Sequence, residues 1–396
     1  MNDFMQEALR FFDYTQSMRR DFHMHPELGF NEIRTGGIVA RELESLGLEV
    51  TKGVGRTGVV GLLEGARPGP TLLLRFDMDA LPILEQTAAE YASTNPGVMH
   101  ACGHDGHTAI GLTVARMLNE LRHELAGTVK FVFQPSEEST GDEGLGGAEM
   151  MIRDGVLSDP KPDYALGLHL WNEQPLGWLG VAAGPVMAGC EQFKVTIQGK
   201  GGHGAVPHAT RDPMLAAAHV ITALQSIVSR NVAPLETAVV SVTSVHGGTA
   251  FNVIPQDVTL EGTIRTFDLG VRGRVLERFG DIVDGVAGAL GCTTRIELKQ
   301  LTPAVINDDR VVHRVQDAAR RVLQGSQLDT ASYITMGAED MAYFLEQIPG
   351  CFFFVGSANR EKGLDYGHHH PKFDVDEDAL PRAAALMAAA AADFLK

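Results

Sequence analysis

The residue pattern predicts an α/β fold in which a mixed-sheet domain is interrupted by a smaller inserted domain. Three observations carry this. Helix-like and strand-like segments alternate along both flanks of the chain. The middle changes style, to two-residue alternation of apolar and polar residues broken by two helices. And 396 residues exceed what one hydrophobic core usually holds.

Taken in order, residues 4–22 and 31–47 read as helices, and Val59–Glu64 and Thr71–Phe76 as buried strands. A helix is predicted from about Thr108 to Glu124, with Ile110, Val114, Met117, Leu118 and Leu121 on one face. The apolar runs Thr128–Phe133 and Tyr164–Leu170 follow, and after the middle come the strand Cys351–Val355 and the helix Asp378–Leu395. Such alternation points to a largely buried sheet. In the middle, Gln192–Gln198 sets Phe193, Val195 and Ile197 on one side. A helix at 212–230, strands Ala238–Val245 and Val258–Phe267, a helix Val271–Leu290 and a strand Thr293–Lys299 complete the segment. The order is β-α-β-β-α-β, a ferredoxin-like arrangement of four antiparallel strands with two helices on one face. The expected domains are therefore 1–186 and 301–396 together, with 187–300 inserted.

Composition narrows the function classes. Hydrophobic residues make up 44% and charged residues 21%, an ordinary globular balance. A net charge of −17 repels nucleic acid and anionic membranes, so neither is an expected partner. The first residues lack the apolar core of a secretory signal, and no apolar run approaches the ~20 residues of a membrane span. Four scattered cysteines argue for a reducing compartment, and the expected location is cytoplasmic. The alanine-rich C-terminus (Ala383 to Ala392) reads as a buried amphipathic helix.

Metal-capable side chains are densest in His100-Ala101-Cys102-Gly103-His104-Asp105-Gly106-His107, read as a loop leading into the 108–124 helix. Thiolate and imidazole suit zinc-like ions. The bland alternative is a capping segment, with Asp105 as N-cap and the histidines incidental. Gln134-Pro135-Ser136-Glu137-Glu138 places two adjacent carboxylates at a strand end. Their repulsion calls for a cation or a raised pKa, unless the loop is simply solvated. His169 ends an apolar strand, and His368-His369-His370 form an internal run. Asp77 and Asp79, at the end of another strand, could hold a ligand histidine in its working tautomer or could be ordinary turn residues. The stretch 199–204 lacks phosphate-loop spacing, and there is no G-x-S-x-G.

Together these segments resemble the M20 metallopeptidase family, and within it the amidohydrolase branch of hippurate hydrolases, aminoacylase-like enzymes and auxin-conjugate hydrolases. The resemblance runs through His25–Gly29, Asp77–Pro82, residues 99–108, Gln134–Glu138, Gly201–Pro207, Ala250–Pro255, Gly337–Asp340 and His369–Glu377. It implies that Cys102 bridges two divalent ions (Zn, Mn, Co or Ni), with His104 and Glu138 completing one site and His169 and His369 the other. Glu137 would be the general base and Asp79 would support a ligand from behind. His203 would stabilise the oxyanion, and Asn252 would contact the substrate carboxylate. The branch often has Ser after its last ligand histidine where this chain has His370, so a register error would pass the role of His369 to His368 or His370. The inserted segment would be a lid or dimerisation domain, hinged near Pro185–Gly189 and Gln300–Pro303, whose closure completes the site.

The implied activity is metal-dependent hydrolysis of N-acyl amino acids to a carboxylate and a free amino acid. A dipeptidase or carboxypeptidase with the same site is the alternative, and a non-catalytic metal-binding protein of the same fold is a third reading. A small N-acyl amino acid or short peptide is the expected substrate, and a homodimer or homotetramer the expected assembly.

Overall fold

The apolar runs on the two flanks become the strands of one eight-stranded mixed sheet. Its order is Glu49–Val54, Gly58–Glu64, Ala126–Gln134, Arg67–Asp77, Tyr164–Pro175, Gly350–Ala358, Trp178–Gly180 and Gln327–Asp329. The four longest strands, in the centre, run parallel. They are continuous apolar runs, because helices cover both faces of such a sheet and leave no side for polar residues. Leu72, Leu74, Phe131, Phe133, Leu166, Leu168 and Phe353 are buried in the resulting core.

The computed structural model describes residues 3–331 and 333–396 and divides into two units. The first takes in the chain as far as Val186, Ile306–Tyr333 and Asp340–Lys396. The second takes in Met187–Val305 and Ile334–Glu339. The boundary thus falls five residues beyond the expected 300, and Ile334–Glu339 leave the flanking domain to which the pattern assigned them. The reason is local pairing: the Ala188 N–H donates to Thr335 O (3.2 Å) and Gly337 O (3.0 Å).

Within the second unit the antiparallel strands are ordered Ala238–His246, Asp257–Thr266, Gly189–Gln198 and Thr293–Thr302. The helices Pro213–Ser226 and Leu269–Ala289 pack on the sheet. Phe193, Val195 and Ile197 are fully buried in a separate core, where the Phe193 ring lies 4.7 Å from Phe279. The Asp212 and Asp268 side chains accept from N–H groups of the two first turns, which is why each helix starts where it does.

Two expectations change, and one helix is new. The helix at 4–22 is two helices, Phe4–Arg10 and Phe12–Met24, because the Phe11 N–H is shared between Glu7 O and Ala8 O in a tightened turn. The alanine-rich helix Ala379–Phe394 is not amphipathic. Nearly every residue from Ala379 to Ala392 is buried, because the helices Phe4–Arg10, His104–Glu120 and Asp309–Val322 all pack on it. Small side chains allow that close approach. The helix Asp309–Val322 itself goes unread in the pattern above. No described helix is long and apolar enough to cross a membrane.

Arg19 ties these helices together with no exposed surface. Its guanidinium bonds Asp105 Oδ2 (2.8 Å), Asp374 Oδ1 (2.7 Å) and Glu377 Oε1 (3.4 Å). Arg19→Leu strands two buried carboxylates, Asp105 and Asp374. Urea unfolding should show a loss of about 3–5 kcal/mol. A change under 1 kcal/mol would mean that water or rearrangement replaces the guanidinium.

Candidate metal centre

In a parallel sheet the loops leaving the carboxyl ends of adjacent strands meet at one edge. Asp77 is in register with Gln134, Arg75 with Gly167, and His169 with Phe354. The chain beyond those points carries Asp79, then Glu137 and Glu138, and His169 itself. The cysteine–histidine cluster reaches the same edge by a different route. The helix expected at Thr108 begins a turn earlier, at His104. Gly103, at φ +93, makes the left-handed entry that a side chain would resist. His104 and His107 therefore stand one turn apart on one helix side. Asp105 is not the N-cap; its carboxylate is held by Arg19 and by His23 Nδ1 at 2.7 Å.

A neutral imidazole has one N–H and one lone pair, so partners reveal which histidines can bind a cation. His104 Nδ1 donates to Asp79 O (3.0 Å) and Asp79 Oδ1 (3.2 Å), and its Nε2 is buried without a partner. His169 Nδ1 donates to Leu170 O at 2.7 Å, and its Nε2 faces Cys102 Sγ at 3.5 Å. Both rings are thus held from behind with a lone pair forward. His107 is different. Its Nδ1 donates to Asp77 Oδ1 at 2.6 Å and its Nε2 accepts from Leu170 N at 2.8 Å, which leaves no lone pair free.

Within the histidine run, His369 is exposed and sits at φ +65, and its Nε2 meets Glu138 Oε1 at 3.0 Å. His368 Nε2 donates to Leu170 O at 3.0 Å, and the exposed His370 stacks on Tyr366. His100 is buried with both nitrogens unpartnered, and burial pushes its pKa down to about 4.

Donor atoms within 4.8 Å of one another form two groups that share a thiol. One is Cys102, His104 and His169; the other is Cys102, Glu138 and His369. A further group joins His104 with Glu137 and Glu138. The third group keeps His104 with Glu138, as the family resemblance implies, while the two groups around the thiol divide the donors otherwise. His104 pairs with His169 around Cys102, and Glu138 pairs with His369, because Glu138 and His369 touch directly while His169 lies against the thiol.

Asp79 spans both groups, since its Oδ2 accepts from Glu138 N at 3.0 Å. Burial opposes ionisation of His104, but the charges of Asp77 and Asp79 push its pKa up to about 10, so a cation that takes the Nε2 lone pair must displace a proton. Burial, then the Glu138 and Glu137 carboxylates, pushes the Cys102 thiol well above its ordinary value. A thiol, three imidazoles and two carboxylates crowded together, with the His104 Nε2 lone pair buried and unpartnered, fit a divalent cation. Its charge would relieve the carboxylate repulsion and deprotonate the thiol.

His203 and Asn252 belong to the second unit. There Gly202–His203 pairs with Val253–Ile254, and Gly204 N donates to Asn252 O at 2.8 Å. Both side chains are exposed. The reading by residue type missed His107, His368 and Arg75 as supports. The three-residue step from His104 to His107 was the available signal for the first. The step of two from Arg75 to Asp77 on one strand face was an available signal too, but the pairings of His368 with the Leu170 carbonyl and of Arg75 with Asp340 span separations that no local pattern encodes.

Comparison with known proteins gives a consistent picture. The model of peptidase family M20/M25/M40 matches residues 73–393. An N-acetylcysteine deacetylase of Bacillus subtilis is 41% identical over 369 residues, 93% of each chain. Thermostable carboxypeptidase 1 of Saccharolobus solfataricus is 39% identical over 384 residues, 96% of this chain and 95% of that one. The crystal structure of a dinuclear metal-binding peptidase of the M20 family from Bacillus subtilis superposes with a TM-score of 0.83 at 36% identity. The match covers 98% of this chain and 99% of that one.

Since Cys102 belongs to both donor groups, Cys102→Ser should retain less than half the divalent metal that the parent keeps after dialysis. Metal analysis showing equal retention would remove the thiol from the shared position.

Proposed function

Because the chain belongs to peptidase family M20/M25/M40, we propose that it is a binuclear amidohydrolase releasing a free amino acid from N-acyl amino acids. The observation that carries the reading is the thiol shared between two donor groups, with Glu137 beside them and outside both. Cys102, His104 and His169 would hold one divalent ion, and Cys102, Glu138 and His369 the second. Such ions supply a Lewis acid for the scissile carbonyl and lower the pKa of water toward neutrality.

The chain's own residues do the rest. Glu137 takes the proton from the attacking water and delivers it to the departing amine. Asp79 and the Leu170 carbonyl keep His104 and His169 in the tautomer that leaves Nε2 free. His203 donates to the oxyanion, and Asn252 binds the substrate carboxylate. The β-α-β-β-α-β unit that carries them is proposed as a ferredoxin-like lid or dimerisation domain of a homodimer or homotetramer. A relative named a carboxypeptidase supports a second reading, cleavage of short peptides by the same site.

Three measurements test this. Free amino acid should be released from at least one of N-acetyl, N-benzoyl or dipeptide substrates, with Zn, Mn, Co or Ni supplied in turn. No release from any combination would sink the proposal. Glu137→Gln should keep its metal and lose about 10²–10⁴-fold in rate; near-normal turnover with metal present would remove Glu137 as base. His203→Ala should stay folded, as an exposed residue, and lower kcat far more than metal affinity. Parental kinetics would take His203 out of the chemistry.

A further inference from the structure

The segment His25–Gly29 and the residues just after it have no part in the mechanism above, yet they touch both loops that do. Glu27 O accepts from Ala80 N at 2.8 Å, next to Asp79. Glu27 Oε1 and Oε2 accept from Arg34 N (2.9 Å) and Thr35 N (2.8 Å), so Glu27 caps the helix Ile33–Ser45. Glu32 occupies the N-cap position of that helix but makes no side-chain cap. Its carboxylate is left to reach elsewhere.

It reaches the base loop. Glu32 Oε1 accepts from the Ser136 N–H at 2.8 Å, and Oε2 accepts from the Thr57 hydroxyl. Ser136 is fully buried and sits at φ +45, a left-handed backbone that costs a residue with a side chain. The next residue is Glu137. Gly29 crowds the same spot, for a Cβ added there would lie 2.4 Å from Ser136 Oγ and 2.6 Å from Ser139 Oγ.

Glu32 is itself fully buried, and its partners here are a hydroxyl and an N–H, neither a cation. Burial and then the Asp79 charge push its pKa up to about 7. Burying a carboxyl against neutral partners costs stability, so stabilisation is a poor account of its presence.

We propose that Glu32 is a positioning residue: with Gly29 it clamps Ser136 in the left-handed conformation that orients Glu137. The inference rests on Glu137 being the base. An amide side chain keeps an acceptor for Ser136 N–H, whereas an apolar one leaves that N–H buried and free to turn.

The test uses the full chain, loaded with metal, in four variants. Glu32→Leu should lower kcat by about 10²-fold, the usual effect of misplacing a reacting group by about 1 Å. Its KM and metal content should stay near the parent's. Glu32→Gln should recover most of the loss. Gly29→Ala, which pushes on Ser136 with Glu32 intact, should also lower kcat at unchanged metal content, and it decides the matter if Glu32→Leu does not fold. Glu137→Gln runs alongside. Parental kcat in both Glu32→Leu and Gly29→Ala, with Glu137→Gln inactive, overturns the clamp and leaves the base in place. Glu32→Gln as slow as Glu32→Leu, or activity lost in step with metal, also overturns it. An active Glu137→Gln overturns the base and the clamp together.

Discussion

The donor cluster depends on Asp79. One carboxylate oxygen and the main-chain carbonyl of this residue take the N–H of His104, and the other oxygen takes the N–H of Glu138. One buried side chain thus sets a ring tautomer in the first donor group and a backbone position in the second. An acceptor behind each ring is needed because a neutral imidazole that turned its N–H forward could not bind a cation. A carboxylate this deep is tolerable only because both oxygens are hydrogen bonded.

A second layer works through the main chain of one residue. Leu170 N donates to His107, and Leu170 O accepts from both His169 and His368. Three histidines from a helix, a strand and a late loop therefore converge on the main chain of a single residue. The arrangement explains why a histidine-rich region has only some histidines available. His107 is fully engaged by Asp77 and Leu170, although Asp77, His104 and His107 lie close enough to be mistaken for a metal site. Asp77 is in turn bonded by Arg75, so the charge beneath the cluster is balanced within the sheet.

The fold supplies the meeting place. Parallel strands end together, so residues at the ends of Arg67–Asp77 and Ala126–Gln134 lie side by side although more than fifty positions separate them. The helix beginning at His104 brings the thiol and imidazoles to that edge. The largely buried alanine helix Ala379–Phe394 packs on the His104 helix, and Arg19 joins Glu377, just before its start, to Asp105. Chemistry at the edge and packing beneath it are coupled through these contacts.

The sequence alone determined the secondary structure wherever periodicity was strong, as in Gln192–Gln198 and the apolar runs of the sheet. It also determined the inventory of ligand-type residues, because cysteine, histidine and paired carboxylates are rare enough to stand out. It failed where local signals were present but unread, as with the Asp308 cap and the Val311, Val312 and Val315 face of the helix Asp309–Val322. It failed in principle where the answer was a partner. Residue pattern left the choice within the 368–370 run open, where the family resemblance pointed to His369, and it is His369 that meets Glu138. That His104 groups with His169 around the thiol depends on contacts between distant segments. The same holds for Glu32, which falls at the start of the predicted 31–47 helix with nothing to single it out until Ser136, a hundred residues on, is found against its carboxylate. Local pattern encodes periodicity and backbone preference. Tertiary packing alone decides which lone pairs remain free.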